Sequence, residues 1–233
     1  MNIWKIRFAN LNFDYDCDRV AEEIRNLTIM QDLISNKSKM ANQERLPLFT
    51  KQQLDKVIWD TDITPQNADK SKGIWKSCSL TYLDAHKERS LLGQPGLRNN
   101  HIIPWQWRED IHIPYIKQIV SAFNFKVLTT VRVLTMDAGC IGLVHNDDLE
   151  GKFYKSLGYS VTLNVSDGGS TLVYTENGQR RDLKPDKCFV FRDDCWHGIP
   201  ETTSHRIQIR INGIPDTKTI KNLLDMDSII PVA

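Results

Sequence analysis

The chain has almost no excess charge: 30 basic residues stand against 29 acidic ones, a formal net charge of +1 over 233 residues. No global field therefore draws it to nucleic acid or to an anionic membrane. It lacks any apolar run long enough to span a bilayer, and its first residues, Met1 to Phe8, lack the apolar stretch of a secretion signal. The five cysteines (Cys17, Cys78, Cys140, Cys188, Cys195) are odd in number and form no CxxC pair, which argues against a disulfide framework and for reduced thiols. No internal repeat and no low-complexity tract is present, so solenoids and arrays are excluded. The expectation is a soluble, cytoplasmic protein with no nucleic-acid or membrane partner. Its length suits one domain, or one core with a substantial extension.

What is present begins with an amphipathic helix expected from Asp18 to Asn36, capped by Asp14 or Asp16, with Val20, Ile24, Leu27, Met30 and Ile34 on one face. A second helix is expected over Lys51 to Trp59 after Thr50. Gly73 to Leu83 has strand character. Trp105 and Trp107 either pack in a core or line a pocket. A third helix is expected from Ile113, with Pro114 tolerated in its first turn and Ile116, Ile119, Val120 and Phe123 at helical spacing. Val131 to Met136 reads as a strand ended by the turn residues Asp137-Ala138-Gly139, and Cys188 to Phe191 as another. Asn177-Gly178 is a hairpin signal. Asp216 is placed to cap a short helix bearing Ile220, Leu223 and Leu224.

The chemistry concentrates between Val127 and Asn212. Successive strand residues alternate between faces, so His145 and Asp147 can reach one point. His197 follows fifty positions after Asp147. Two imidazoles and one carboxylate leave part of a metal's coordination sphere open, which suits a non-haem Fe(II) centre, whereas a closed structural zinc site needs a fourth protein ligand. His-x-Asp alone is a weak motif; its surroundings carry more. Leu163-Asn164, Asp167-Gly168-Gly169-Ser170-Thr171-Leu172, Leu183-Lys184-Pro185-Asp186, Phe189-Val190-Phe191, Trp196-His197-Gly198-Ile199-Pro200 and Ser204 to Arg210 follow in order. In these motifs the sequence resembles the Fe(II)/2-oxoglutarate-dependent dioxygenases, in particular their prolyl-hydroxylase-like branch.

That resemblance implies a mainly β protein with flanking helices, built on a double-stranded β-helix (a cupin-like jelly roll) over residues 125–215. Residues 1–124 would be a helical and strand extension packing on this core, and 216–233 a C-terminal tail of one compact unit. It implies Fe(II) held by His145, Asp147 and His197, with 2-oxoglutarate and dioxygen as cosubstrates. It also implies that Arg206, nine positions after His197, grips the far carboxylate of 2-oxoglutarate, since a guanidinium matches a carboxylate with a fork of donors. Arg210 shares that strand face and is the rival, with a solvent-facing or rim charge as its other reading. Thr135, Val161 and Leu163 are expected by alternation to project into the cosubstrate pocket. Asp147 argues against halogenation, because halogenating relatives carry a small residue there.

Three functions fit. The first is hydroxylation of a small molecule, such as a free or carrier-bound amino acid or a peptide, with succinate and CO2 as coproducts. The second is hydroxylation of a protein residue. The third is a non-catalytic, cupin-like metal- or ligand-binding protein.

Overall fold

The structure is a computed structural model that describes residues 2–27, 75–82, 104–136, 138–139, 142–145, 160–166, 172–176, 179–192 and 197–231. Its strands are β1 (Ile6–Asn10), β2 (Trp75–Ser79), β3 (Thr81–Tyr82), β4 (Gln106–Trp107), β5 (Val127–Met136), β6 (Gly142–His145) and β7 (Ser160–Asn164). They continue with β8 (Leu172–Glu176), β9 (Gln179–Leu183), β10 (Cys188–Phe191), β11 (His197–Ile199), β12 (Arg206–Ile214) and β13 (Ile230–Pro231). The described helices are α1 (Cys17–Arg25), α2 (Pro114–Ala122) and α3 (Thr217–Leu223).

Strand order identifies the architecture. A seven-stranded sheet runs β13-β1-β10-β7-β12-β5-β2, and a four-stranded sheet runs β6-β11-β8-β9. From β5 to β12 the chain passes between these sheets in the sequence large, small, large, small, small, large, small, large. All pairings within them are antiparallel. Eight strands alternating so between two sheets make a double-stranded β-helix, the jelly roll.

The core divides into two clusters that lie on opposite faces of the large sheet. Val131, Val133, Val161, Leu163, Val190, Ile209 and Ile211 pack with Val20 and Ile24 of α1 and with Ile116, Ile119 and Val120 of α2. We call this the outer face. A smaller cluster joins Phe8, Phe189 and Phe191 of the large sheet to Leu172 and Leu183 of the small one, which marks the inner face between the sheets. Burying each aliphatic residue of the outer face contributes about 1.5–3 kcal/mol.

Local chemistry explains the helix ends. Asp16 caps α1 by accepting from the Arg19 amide at 3.1 Å, and Asp216 caps α3 through the Thr219 amide at 2.9 Å. α2 starts with Pro114 at its first position, where no amide donor is needed. Of the expected long first helix, residues 28–36 lie outside the described residues, as does the whole of Lys51 to Trp59. Of the expected Gly73 to Leu83 strand, Trp75–Ser79 joins the large sheet as β2, pairing with β5, while Thr81–Tyr82 forms β3 and pairs with β4; Gly73, Ile74 and Leu83 lie outside the described residues. Glu176 faces Gln179 across a two-residue connection, as the Asn177-Gly178 signal requires, though those two residues themselves lie outside the described ones. Trp105 is buried and Trp107 packs against the helix-side core, so both serve packing. At Gly213, in the β12 bulge, φ is +148° and an added Cβ would meet the Val127 carbonyl oxygen at 2.1 Å; only glycine fits. No described helix is long and apolar enough to cross a membrane.

Candidate functional site

The register of the small sheet sets His197 directly opposite His145. Facing residues of an antiparallel pair share a face, with Cβ atoms about 4.5–5.5 Å apart. That face is the inner one: His197 is buried, and its ring lies 5.2 Å from Phe191 of the inner cluster. The two histidine positions, far apart in sequence, are thus cross-strand partners in the small sheet. Asp147 lies outside the described residues, two positions beyond the end of β6.

Across the space, β12 offers every second residue to the same interior. Arg206, Gln208, Arg210 and Asn212 alternate with Ile207, Ile209 and Ile211, which face the helices. Arg206 is 1 % exposed, and none of its Nε, Nη1 and Nη2 atoms has a hydrogen-bond partner among the described residues. Burial alone pushes its pKa down, to about 10, so it remains a cation at neutral pH. A buried, charged fork without a partner is expensive unless something anionic satisfies it. The chemistry of the donor set therefore specifies a carboxylate or a similar anion.

Around Arg206 the inner wall is organised by short polar contacts. Gln208 donates to Asn164 Oδ1, and Asn164 donates to the Asp186 carbonyl at 2.5 Å. Arg210 donates to Ser160 Oγ at 3.2 Å, and Asn212 donates to the same oxygen at 2.7 Å. The Arg210 guanidinium lies 4.8 Å above the Phe191 ring, so one phenyl ring touches both Arg210 and His197.

Register also corrects three expectations. Thr135 faces Ile207, Val161 faces Ile211 and Val190, and Leu163 faces Ile209. All three belong to the face that turns to the helices, away from Arg206. A shift of one residue in an assumed register flips a whole strand, and that is the reason for the error. The inner positions of β7 are instead Ser160, Thr162 and Asn164. Arg210 shares the face of Arg206 as expected, yet it is half-buried over Phe191 and so is not a solvent-facing rim charge. Phe191, Thr162 and Gln208 were not singled out from sequence. The strict alternation of polar residues with isoleucine along β12 is the signal that exposes Gln208, whereas Thr162 on β7 and Phe191 on β10 are placed by cross-strand register.

The described cysteines contribute no nucleophile. Cys17, Cys78 and Cys188 are free thiols; burial pushes the Cys78 pKa up to about 11 and that of Cys188 higher still. Cys140 and Cys195 lie outside the described residues.

No family model matches the chain, and neither does any curated protein. Solved structures do. The chain is similar to iron- and 2-oxoglutarate-dependent oxygenases. A prolyl-4-hydroxylase from Pseudomonas putida shares 11 % identity at a TM-score of 0.37, over 90 % of this chain and 93 % of that one. A 2OG-Fe(II) oxygenase family oxidoreductase from Burkholderia pseudomallei shares 12 % at 0.43, over 88 % and 94 %. A prolyl hydroxylase from Trichoplax adhaerens, solved with a hypoxia inducible factor peptide fragment, shares 13 % at 0.41, over 94 % and 86 %. At such identities and scores the strand order, not the likeness, decides the fold.

Proposed function

We propose that this protein is an Fe(II)/2-oxoglutarate-dependent oxygenase that hydroxylates an unactivated carbon of a small molecule, a free or carrier-bound amino acid or a peptide. The observation that carries the reading is Arg206: a buried guanidinium without a described partner, inside a jelly roll whose opposite sheet pairs His145 with His197. The donor set fits the metal. His145 and His197, with Asp147 two positions beyond the strand end, would supply two imidazoles and a carboxylate and leave the remaining positions for cosubstrates. When bound, Fe(II) supplies the electron transfer to dioxygen that no protein side chain offers. The balanced reaction is 2-oxoglutarate plus dioxygen plus a C–H bond, giving succinate, CO2 and an alcohol.

The chain's own residues bind and orient. Arg206 holds the far carboxylate of 2-oxoglutarate in a water-poor site, where a charge-assisted, two-pronged contact is strong. Gln208 and Asn164, locked together, form the polar floor beside it. Phe191 supports the His197 ring, and with Phe8, Phe189, Leu172 and Leu183 it keeps the deep end of the interior apolar. The catalytic unit would be residues 125–215, with 1–124 and 216–233 supporting it. Free thiols in the described core fit a reducing, cytoplasmic compartment.

The test is anaerobic reconstitution with Fe(II), followed by addition of 2-oxoglutarate. A visible metal-to-ligand charge-transfer band should appear and should be missing in His197→Ala. Folded, metal-loaded protein that gives no band would point to a non-oxidative, ligand-binding jelly roll.

A further inference from the structure

We infer that Tyr15 and Asn164 are positioning residues for the anion site: together they hold the Gln208 amide away from the Arg206 guanidinium and so reserve that guanidinium for its ligand. The inference rests on the oxygenase reading above for the identity of the ligand. Its basis is a relay of hydrogen bonds that starts outside the jelly roll and ends on its inner wall. Gln208 stands two positions beyond Arg206 on the same face of β12, about 7 Å along the strand. Both side chains are long enough to close that gap, and an amide oxygen is a good acceptor for a buried guanidinium. Even so, Nε, Nη1 and Nη2 of Arg206 have no hydrogen-bond partner among the described residues.

The relay explains why. Gln208 faces Asn164 across the pairing of β12 with β7, and its amide donates to Asn164 Oδ1. Asn164 Nδ2 donates in turn to the Asp186 carbonyl at 2.5 Å. A backbone carbonyl can only accept, so the Asn164 amide has one orientation, and its oxygen then imposes one on Gln208. The far end of the relay is anchored from the N-terminal extension. Tyr15, between β1 and α1, is buried, and its hydroxyl lies 2.7 Å from the Asn164 carbonyl and 2.8 Å from the Lys187 carbonyl. Its one proton is shared between them. Burial pushes the phenol pKa above its ordinary value, so that proton stays in place at working pH. Asn10 of β1 accepts from the Asp186 amide at 2.9 Å, a second hold on the connection between β9 and β10. Without these holds Gln208 can turn its oxygen onto Arg206, a neutral competitor for the anion supplied by the chain itself.

The experiment loads the full chain with Mn(II) and titrates in N-oxalylglycine, a non-oxidisable stand-in for 2-oxoglutarate, by calorimetry. Tyr15→Phe keeps the ring in the outer core and removes only the donor. It and Asn164→Ala should each weaken N-oxalylglycine about fivefold or more. Gln208→Leu has no oxygen to offer Arg206, so adding either substitution to that background should change its affinity less than about twofold. A merely structural role would carry the loss into both backgrounds. Asn10→Ala is measured in parallel and should lose affinity in the same Gln208-dependent way, which keeps the anchor testable should Tyr15→Phe fold poorly. Unchanged affinity in Tyr15→Phe and Asn10→Ala would overturn the role of the extension. An Asn164→Ala loss that persists beside Gln208→Leu would overturn the reservation of Arg206. Failure of N-oxalylglycine to bind the unsubstituted protein would sink the oxygenase reading itself, and this inference with it.

Discussion

The two faces of the seven-stranded sheet are made by the same strands and have opposite characters. Toward the helices stand Val131, Val133, Val161, Leu163, Ile209 and Ile211, every one of them buried. Toward the small sheet stand Arg132, Ser160, Thr162, Asn164, Arg206, Gln208, Arg210 and Asn212, residues that a two-layer β protein would ordinarily turn to solvent. The outer face is what holds the molecule together. On the inner one Phe8, Phe189 and Phe191 add an apolar cluster, but the polar positions cost stability, most of all Arg206, and such a cost is typical of a surface shaped for a ligand. Stability and binding are thus separated by a single residue step along β12.

Arg206→Met is the sharpest way to break the contrast. It should lower 2-oxoglutarate affinity by on the order of a hundredfold to a thousandfold, about 3–4 kcal/mol, in titrations of the metal-loaded protein. The same substitution removes an unpaired buried charge, so the ligand-free protein should melt higher, by roughly 2–4 °C for each kcal/mol gained. A lower melting point would mean that the guanidinium has a structural partner.

Three positions along the chain, on the opposite face, Ile209→Ala should do the reverse. Deleting most of a fully buried side chain from the outer face should cost about 2–4 kcal/mol in denaturant unfolding, while 2-oxoglutarate affinity at a temperature where the variant is folded stays near the original. A strong loss of affinity there would show that the two faces are coupled.

The smallest effect is expected away from both faces. Asp216→Ala removes the cap of α3 and should lower stability by less than Ile209→Ala does. The intact carboxyl is held below its usual pKa, chiefly by the Thr219 amide. A folded-state pKa below the unfolded one stabilises above the unfolded value and is lost as pH falls through the folded one. The difference between Asp216→Ala and the parent should therefore fade in acid, and urea melts at neutral pH and near pH 3 would show it.

Much of this was legible in the sequence. The strands Val131 to Met136 and Cys188 to Phe191, the Pro114 helix start and the Asp216 cap follow from alternation, proline geometry and side-chain capping, all of which act within a few residues. Arg206 and Arg210 could be set on one face because four is an even step. What alternation cannot supply is which of two faces points inward. Thr135, Val161 and Leu163 were expected inside for that reason and lie outside.

The order of residues by itself determined the local elements, the near-neutral charge, and the pairing of polar with isoleucine positions along β12. Tertiary structure alone decided that His145 and His197 are cross-strand neighbours, that Phe191 lies against both His197 and Arg210, and that Thr162, Arg210 and Arg132 form one row. The physical reason is that these are contacts between strands distant in the chain. Their register is set by packing two sheets and a helical layer at once, and no short stretch of sequence contains that information.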